Sequence, residues 1–142
     1  MKSTEDLWDE MIKTDTVEEF IENNRESINF KGVPELMRYY IKSKKLKNKT
    51  VFDEANISRT YGQQILSGRK KPSRDVLIQL CFGLHLNLEE TQHFLKVCGQ
   101  QGLYMRENRD LYVIYAIKNK KSLTELNIDL ENKGIELFGS EK

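Results

Sequence analysis

The stretch SRTYGQQILSGRKKPS, residues 58–73, decides how this chain is read. It contains a helix start, a helix, a stop, a basic loop and a second start, in that order. Ser58 has the short hydroxyl side chain that accepts from a free N–H of a first helical turn. Ile65 and Leu66 give the helix an apolar inner edge, and Gly68 is placed to end it in a left-handed conformation. Arg69, Lys70 and Lys71 resist burial, and Ser73, after Pro72, caps the helix that follows.

The same grammar extends both ways. Downstream, Val76, Leu77, Leu80, Cys81 and Leu84 recur at helical spacing and predict a buried face. Asn87 caps a further helix with Leu88, Thr91, Phe94 and Leu95 inward. Upstream, residues 48–55 form a short helix with Val51, Phe52 and Ala55 apolar, and Asn56-Ile57 makes the turn before Ser58. Pro34 suits the opening of a helix faced by Leu36, Met37, Tyr40 and Ile41. Five short helices over roughly 33–98 predict an all-α domain. The run 111–117 is β-branched and aromatic, so propensity alone permits a strand; without a pairing partner it reads as a buried helix. Ser122 and Glu125 form a capping box for a last helix carrying Leu123, Leu126 and Leu130, which Gly134 closes.

Residues 1–30 read as two short helices. The first starts at Ser3 with Asp6 and carries Leu7, Trp8, Met11 and Ile12. The second starts at Thr16 with Glu19 and carries Val17, Phe20 and Ile21, with Trp8 and Phe20 as packing anchors. The predicted organisation is an acidic helical extension over 1–30, a domain over 31–99 and a C-terminal helical segment over 100–142.

At 142 residues, 38% hydrophobic and 32% charged, the chain has enough apolar material for a core. Collagen-like, mucin-like and low-complexity classes are excluded. No apolar run approaches the roughly 20 residues of a membrane span, and the acidic N-terminus lacks a secretory layout. Two cysteines are too few for a disulfide scaffold, so a reducing cytoplasm is expected. The net charge of +1 conceals sorting. Residues 1–30 hold three basic and nine acidic side chains, a balance of −6; residues 42–74 hold ten basic and two acidic, a balance of +8. The second block points to a polyanion, the first to an acidic docking surface or shield.

Catalytic and metal chemistry find little support. Cys81 with His85, and His93 with Cys98, could be drawn as a zinc site, but neither spacing is finger-like and Cys81 falls on a core face. No Gly-rich phosphate loop or nucleophile–base grouping occurs, so no enzyme activity and no cofactor is expected. Arg74-Asp75 and Arg109-Asp110 read as helix-start ion pairs, the second also as a tie between the domain and its C-terminal helices.

Taken together, Asn48, Val51-Phe52, Asn56-Ile57-Ser58, Ile65, Gly68, Arg69-Lys70-Lys71, Pro72-Ser73, Leu77-Ile78 and Leu80 resemble, without gaps, the helix-turn-helix of the lambda-repressor/Cro-like (Xre) family. Ser58 to Gly68, with Leu103-Tyr104 and Arg109-Asp110, also resembles small repressor-like proteins of Gram-positive bacteria. The resemblance implies a five-helix DNA-binding domain whose recognition helix spans 58–67. It implies that Arg59, Thr60 and Gln63 occupy base-reading positions, and that Asn48, Ser67, Lys70 and Lys71 contact phosphates. Lys47, Lys49 and Arg69 extend that footprint. Arg59, Thr60, Gln63 and Ser67, at i, i+1, i+4 and i+8, share one helical face. Arg pairs bidentately with guanine and Gln with adenine.

Two positions depart from the family pattern. Phe52 stands where a small Ala is usual, and Gly62 where an aliphatic is usual. This exchange of large for small predicts that the Phe52 ring fills the space vacated at Gly62.

The expected function is a cytoplasmic, sequence-specific double-stranded DNA-binding repressor, working as a homodimer through residues 107–138. Its acidic segment 1–30 would compete for the basic face or dock a protein. The rival reading is an interaction module that uses the same scaffold to bind a protein. RNA binding through the lysines of 42–49 is weaker, because an aromatic stacking platform is missing there.

Overall fold

The structure, a computed structural model, describes residue 5 and residues 32–139. The chain divides into two units at Lys31–Gly32. The two helices expected over 1–30, with Trp8 and Phe20, lie outside the described residues.

The described residues of the second unit form seven helices and no strands: α1 (Val33–Ser43), α2 (Asn48–Glu54), α3 (Arg59–Leu66), α4 (Arg74–Gly83), α5 (Leu88–Val97), α6 (Asn108–Lys118) and α7 (Leu123–Asn132). The expectation of an all-α chain holds there, including a helix over the β-branched run 111–117. Side chains open five of them. Ser58, Ser73, Asn87, Glu107 and Ser122 each accept from an N–H of the first turn, and Asn87 and Ser122 complete capping boxes with Glu90 and Glu125.

All seven stop in the same way. One residue takes positive φ, and the next N–H donates to the carbonyl five residues back, as Leu46 does to Ile41 and Arg69 to Gln64. Glycine serves at Gly68, Gly99 and Gly134; Lys45, Asn56, His85 and Lys120 serve at the other four.

Helix α4 is the core element. Val76 through Cys81 are all buried, including Gln79, whose amide donates to the Ala55 carbonyl at 2.9 Å where α2 ends. At Gly83 the backbone approaches α2 so closely that a Cβ there would collide with the Val51 carbonyl and press on Ala55. Leu77, Ile78, Leu80 and Leu84 are fully buried, as are Leu36, Val51, Phe94 and Leu95 of the surrounding elements, and α4 packs chiefly on α2 and α5. Each such side chain contributes about 1.5–3 kcal/mol.

The C-terminal helices join the same unit through an exchange of partners. Neighbouring helical residues point apart, so neither Arg-Asp dipeptide pairs with itself. Arg74 at the start of α4 grips Asp110 of α6 at 2.7 and 3.1 Å, and Arg109 of α6 grips Asp75 of α4 at 2.9 and 3.0 Å. This corrects the helix-start reading and makes both dipeptides inter-helix ties. Arg74 also donates to the Gln101 and Gly102 carbonyls, and Arg109 to those of Glu136 and Leu137 while stacking 3.8 Å from the Phe138 ring centre. Two side-chain amides clasp the intervening backbone like one rung of a sheet: Gln92 on Leu103 and Asn127 on Phe138.

Candidate nucleic-acid interface

Helix α3 is aimed by what lies behind it. Its cap fixes the entry, with the Tyr61 N–H donating to Ser58 Oγ at 3.1 Å. Gly62, Ile65 and Leu66 are buried, and α3 packs on α1 and α2. The Phe52 ring lies flat on Gly62: a Cβ added there would stand 2.5 Å from two ring carbons and 2.7 Å from a third. The expected exchange of volume between these two positions is therefore present in the packing. At the other end, the Arg38 guanidinium donates to the Leu66 carbonyl at 2.7 Å, tying α3 to α1.

With the inner face so committed, Arg59, Thr60, Gln63 and Ser67 are all exposed on the outer one. The turn that follows, with Arg69, Lys70 and Lys71 exposed, is held onto α3 because the Gln64 carbonyl accepts from the N–H groups of Arg69 and Lys70. Ser67 Oγ donates to that same carbonyl at 3.1 Å, so the hydroxyl must rotate before it can donate outward. Lys47 and Lys49 are exposed and flank half-buried Asn48 at the start of α2. No acidic side chain occupies the first turn of α2 or α3. Lys44, by contrast, is engaged: its ammonium meets Glu90 at 3.1 Å and donates to the His85 carbonyl.

One feature of the site escaped the sequence reading. Asp53, at the end of α2, reaches Arg59 at 3.4 Å across the turn, so an exposed carboxylate faces the first residue of α3. An acid near the end of the predicted helix 48–55 and a base just after the Ser58 cap, with only the Asn56-Ile57 turn between the helices, were the available signal.

No protein-family model, curated protein or solved structure matches this chain.

The residues considered for zinc have other surroundings. Cys81 and Cys98 are buried free thiols. Burial pushes both thiols up, Cys98 to about 12. Burial lowers the pKa of His93, and His85 binds Glu54. Among the described residues no three His, Cys, Asp or Glu side chains form a metal-holding group, and no helix is long and apolar enough to cross a membrane.

Proposed function

We propose that this chain is a sequence-specific, double-stranded DNA-binding regulator, a repressor in the cytoplasm, which inserts α3 into the major groove in the manner of the lambda-repressor/Cro-like family. The observation that carries this reading is the division of α3: a buried Gly62–Ile65–Leu66 face behind, exposed Arg59, Thr60 and Gln63 in front, and exposed Arg69, Lys70 and Lys71 at its end. A helix held from behind with short polar and forked side chains forward suits a groove about 12 Å wide. Arg59 and Gln63 have the donor patterns for guanine and adenine edges, each good pair giving about 1–3 kcal/mol of discrimination. Lys47, Lys49, Arg69, Lys70 and Lys71 are long cations suited to flanking phosphates, with Asn48 and Ser67 nearer the helix ends.

One such helix reads a short half-site, so we propose a homodimer. Tyr104, Met105, Tyr115 and Ile128, 50–67% exposed, are the large hydrophobics most open to solvent among the described residues. Tyr115 and Ile128 lie within residues 107–138, the stretch assigned to the dimer, and Tyr104 and Met105 just before it. The same exposed apolar side chains favour the second reading, an adaptor that docks another protein.

A mobility shift on mixed duplex DNA at two salt concentrations separates the two. Neutralising about five phosphates gives a log–log slope near −4 to −5. Gln63→Ala then weakens preferred sequences more than random ones. A missing or salt-insensitive shift defeats the DNA reading and favours the adaptor.

A further inference from the structure

The C-terminal ends of α2, α4 and α6 and the start of α7 converge on one cleft of about 730 Å³. Phe82, Leu86 and Ile117 give it an apolar lining. It carries charge of both signs: Asp53 and Glu54 come from the end of α2, Lys120 and Lys121 from the turn after α6, and Glu125 from the first turn of α7, where it is engaged with the Ser122 N–H of its capping box.

Three of its lining residues are unusual in backbone. Asn56, His85 and Lys120 each hold positive φ, near 57°, at a helix stop where glycine would sit without strain. Glycine does occupy that position after α3, α5 and α7, at Gly68, Gly99 and Gly134. Of the four strained stops, only Lys45 lies off the cleft. Residues held in sparsely populated backbone regions cluster where a site needs their side chains. Here three such stops, Asn56, His85 and Lys120, line one cavity.

The existing partners of these groups are easily exchanged. Asp53 meets Arg59, Glu54 meets His85 and Lys121 meets Asp129, all as exposed pairs. Such pairs contribute little in water and yield readily to a competing ligand. Lys120 has no ion-pair partner among the described residues.

We infer that this cleft binds a short, zwitterionic apolar peptide, its terminal ammonium at Asp53 and Glu54, its carboxylate at Lys120 and its side chains against Phe82 and Ile117. The volume falls in the range of roughly 300–1,000 Å³ that holds drug-sized ligands, which suits a tripeptide better than a single amino acid. The test can fail or succeed apart from DNA binding, because it follows the peptide alone, although Asp53 also pairs with Arg59 of α3.

The test is a titration of the isotope-labelled full chain with Leu-Ala-Phe, its N-acetylated form and its C-terminal amide, followed by amide NMR shifts. The free peptide should move Phe82, His85, Ile117 and Lys120, and each blocked form should bind about tenfold more weakly. Lys120→Gln should erase the difference between peptide and amide while the difference between peptide and acetylated peptide persists. Lys120→Gly should melt a few degrees higher, by relief of strain, and show the same loss of carboxylate preference. Equal binding of all three peptides, shifts clustered elsewhere, an unaltered preference in Lys120→Gln, or no shift at millimolar peptide would each overturn the proposal.

Discussion

The contact between Phe52 and Gly62 sets how closely α2 and α3 approach, and it can be tested by exchanging the two sizes. Phe52 is 1% exposed, and its ring occupies the volume that a side chain at position 62 would need. Phe52→Ala should cost about 3–5 kcal/mol, the range for removing a buried aromatic and leaving a cavity. Gly62→Ala should gain about 1 kcal/mol of helix propensity and lose about 1–3 kcal/mol to overpacking, because its methyl would stand 2.5 Å from the ring. The net is neutral to destabilising, whereas glycine-to-alanine in an unobstructed helix stabilises. Gly62→Leu alone should be worse still. In Phe52→Ala combined with Gly62→Leu, the new side chain enters the cavity left by the ring, so the double variant should be more stable than the sum of the singles by about 1–3 kcal/mol. Urea unfolding followed by circular dichroism at constant m-value gives all four corners of the cycle. Additive losses, a Phe52→Ala cost below about 1 kcal/mol, or a Gly62→Ala variant more stable than the parent would refute the reasoning.

The crossed ties differ in depth. The Asp110 side chain is 7% exposed and that of Asp75 is 38% exposed. Asp110→Ala should cost about 3–5 kcal/mol by leaving Arg74 without its partner, and Asp75→Ala about 1 kcal/mol because water screens it; equal losses in urea titrations would contradict this. Lys45→Gly should raise stability by about 0.5–1 kcal/mol, since it relieves a φ of 58° away from the cleft, and a loss would mean that the Lys45 side chain supplies an interaction worth more than the strain. The thiols predict a pH dependence. Burial raises the folded-state pKa of Cys81 and Cys98 above the unfolded value of about 8.5. Their contribution to stability is therefore complete below that pH and falls as pH rises toward about 12. Unfolding curves at pH 7.5 and 10 should differ less in a Cys81→Ala, Cys98→Ala double variant than in the parent; an unchanged difference would show that the thiols play no part.

Helix boundaries were legible wherever start and stop signals were local. Ser58, Ser73, Asn87 and Ser122 each need only the three residues that follow, and Gly68 and Gly134 announce positive φ by being glycine. The stops at Lys45, His85 and Lys120 carried no such mark, because a lysine or histidine is ordinary in almost any other position. The cap of α6, Glu107, was unmarked for a related reason: glutamate is not a usual N-cap, yet its carboxylate accepts from the Asp110 N–H. The crossed ties were half visible. Two Arg-Asp dipeptides at two helix starts invited pairing within each, and only the side-by-side packing of α4 and α6 ends reverses the assignment.

Those same ties decide how dimerisation can be tested. Ending the chain near residue 100 would remove Asp110 and Arg109 together, leaving Arg74 and Asp75 unpaired at the start of the helix that forms the core. It would also remove Leu103 from the clasp of Gln92 and strip Val113 and Ala116, both buried, from the same unit. A monomeric truncated chain would then report damage to α4 as readily as loss of an interface. Tyr115→Glu and Ile128→Glu avoid this confusion, because both side chains are about half exposed and make no tie to α4. Either change should leave the thermal transition nearly in place while shifting the sedimentation of a dimer toward that of a monomer. If the full chain sediments as a dimer and neither substitution alters it, the interface lies elsewhere on the chain.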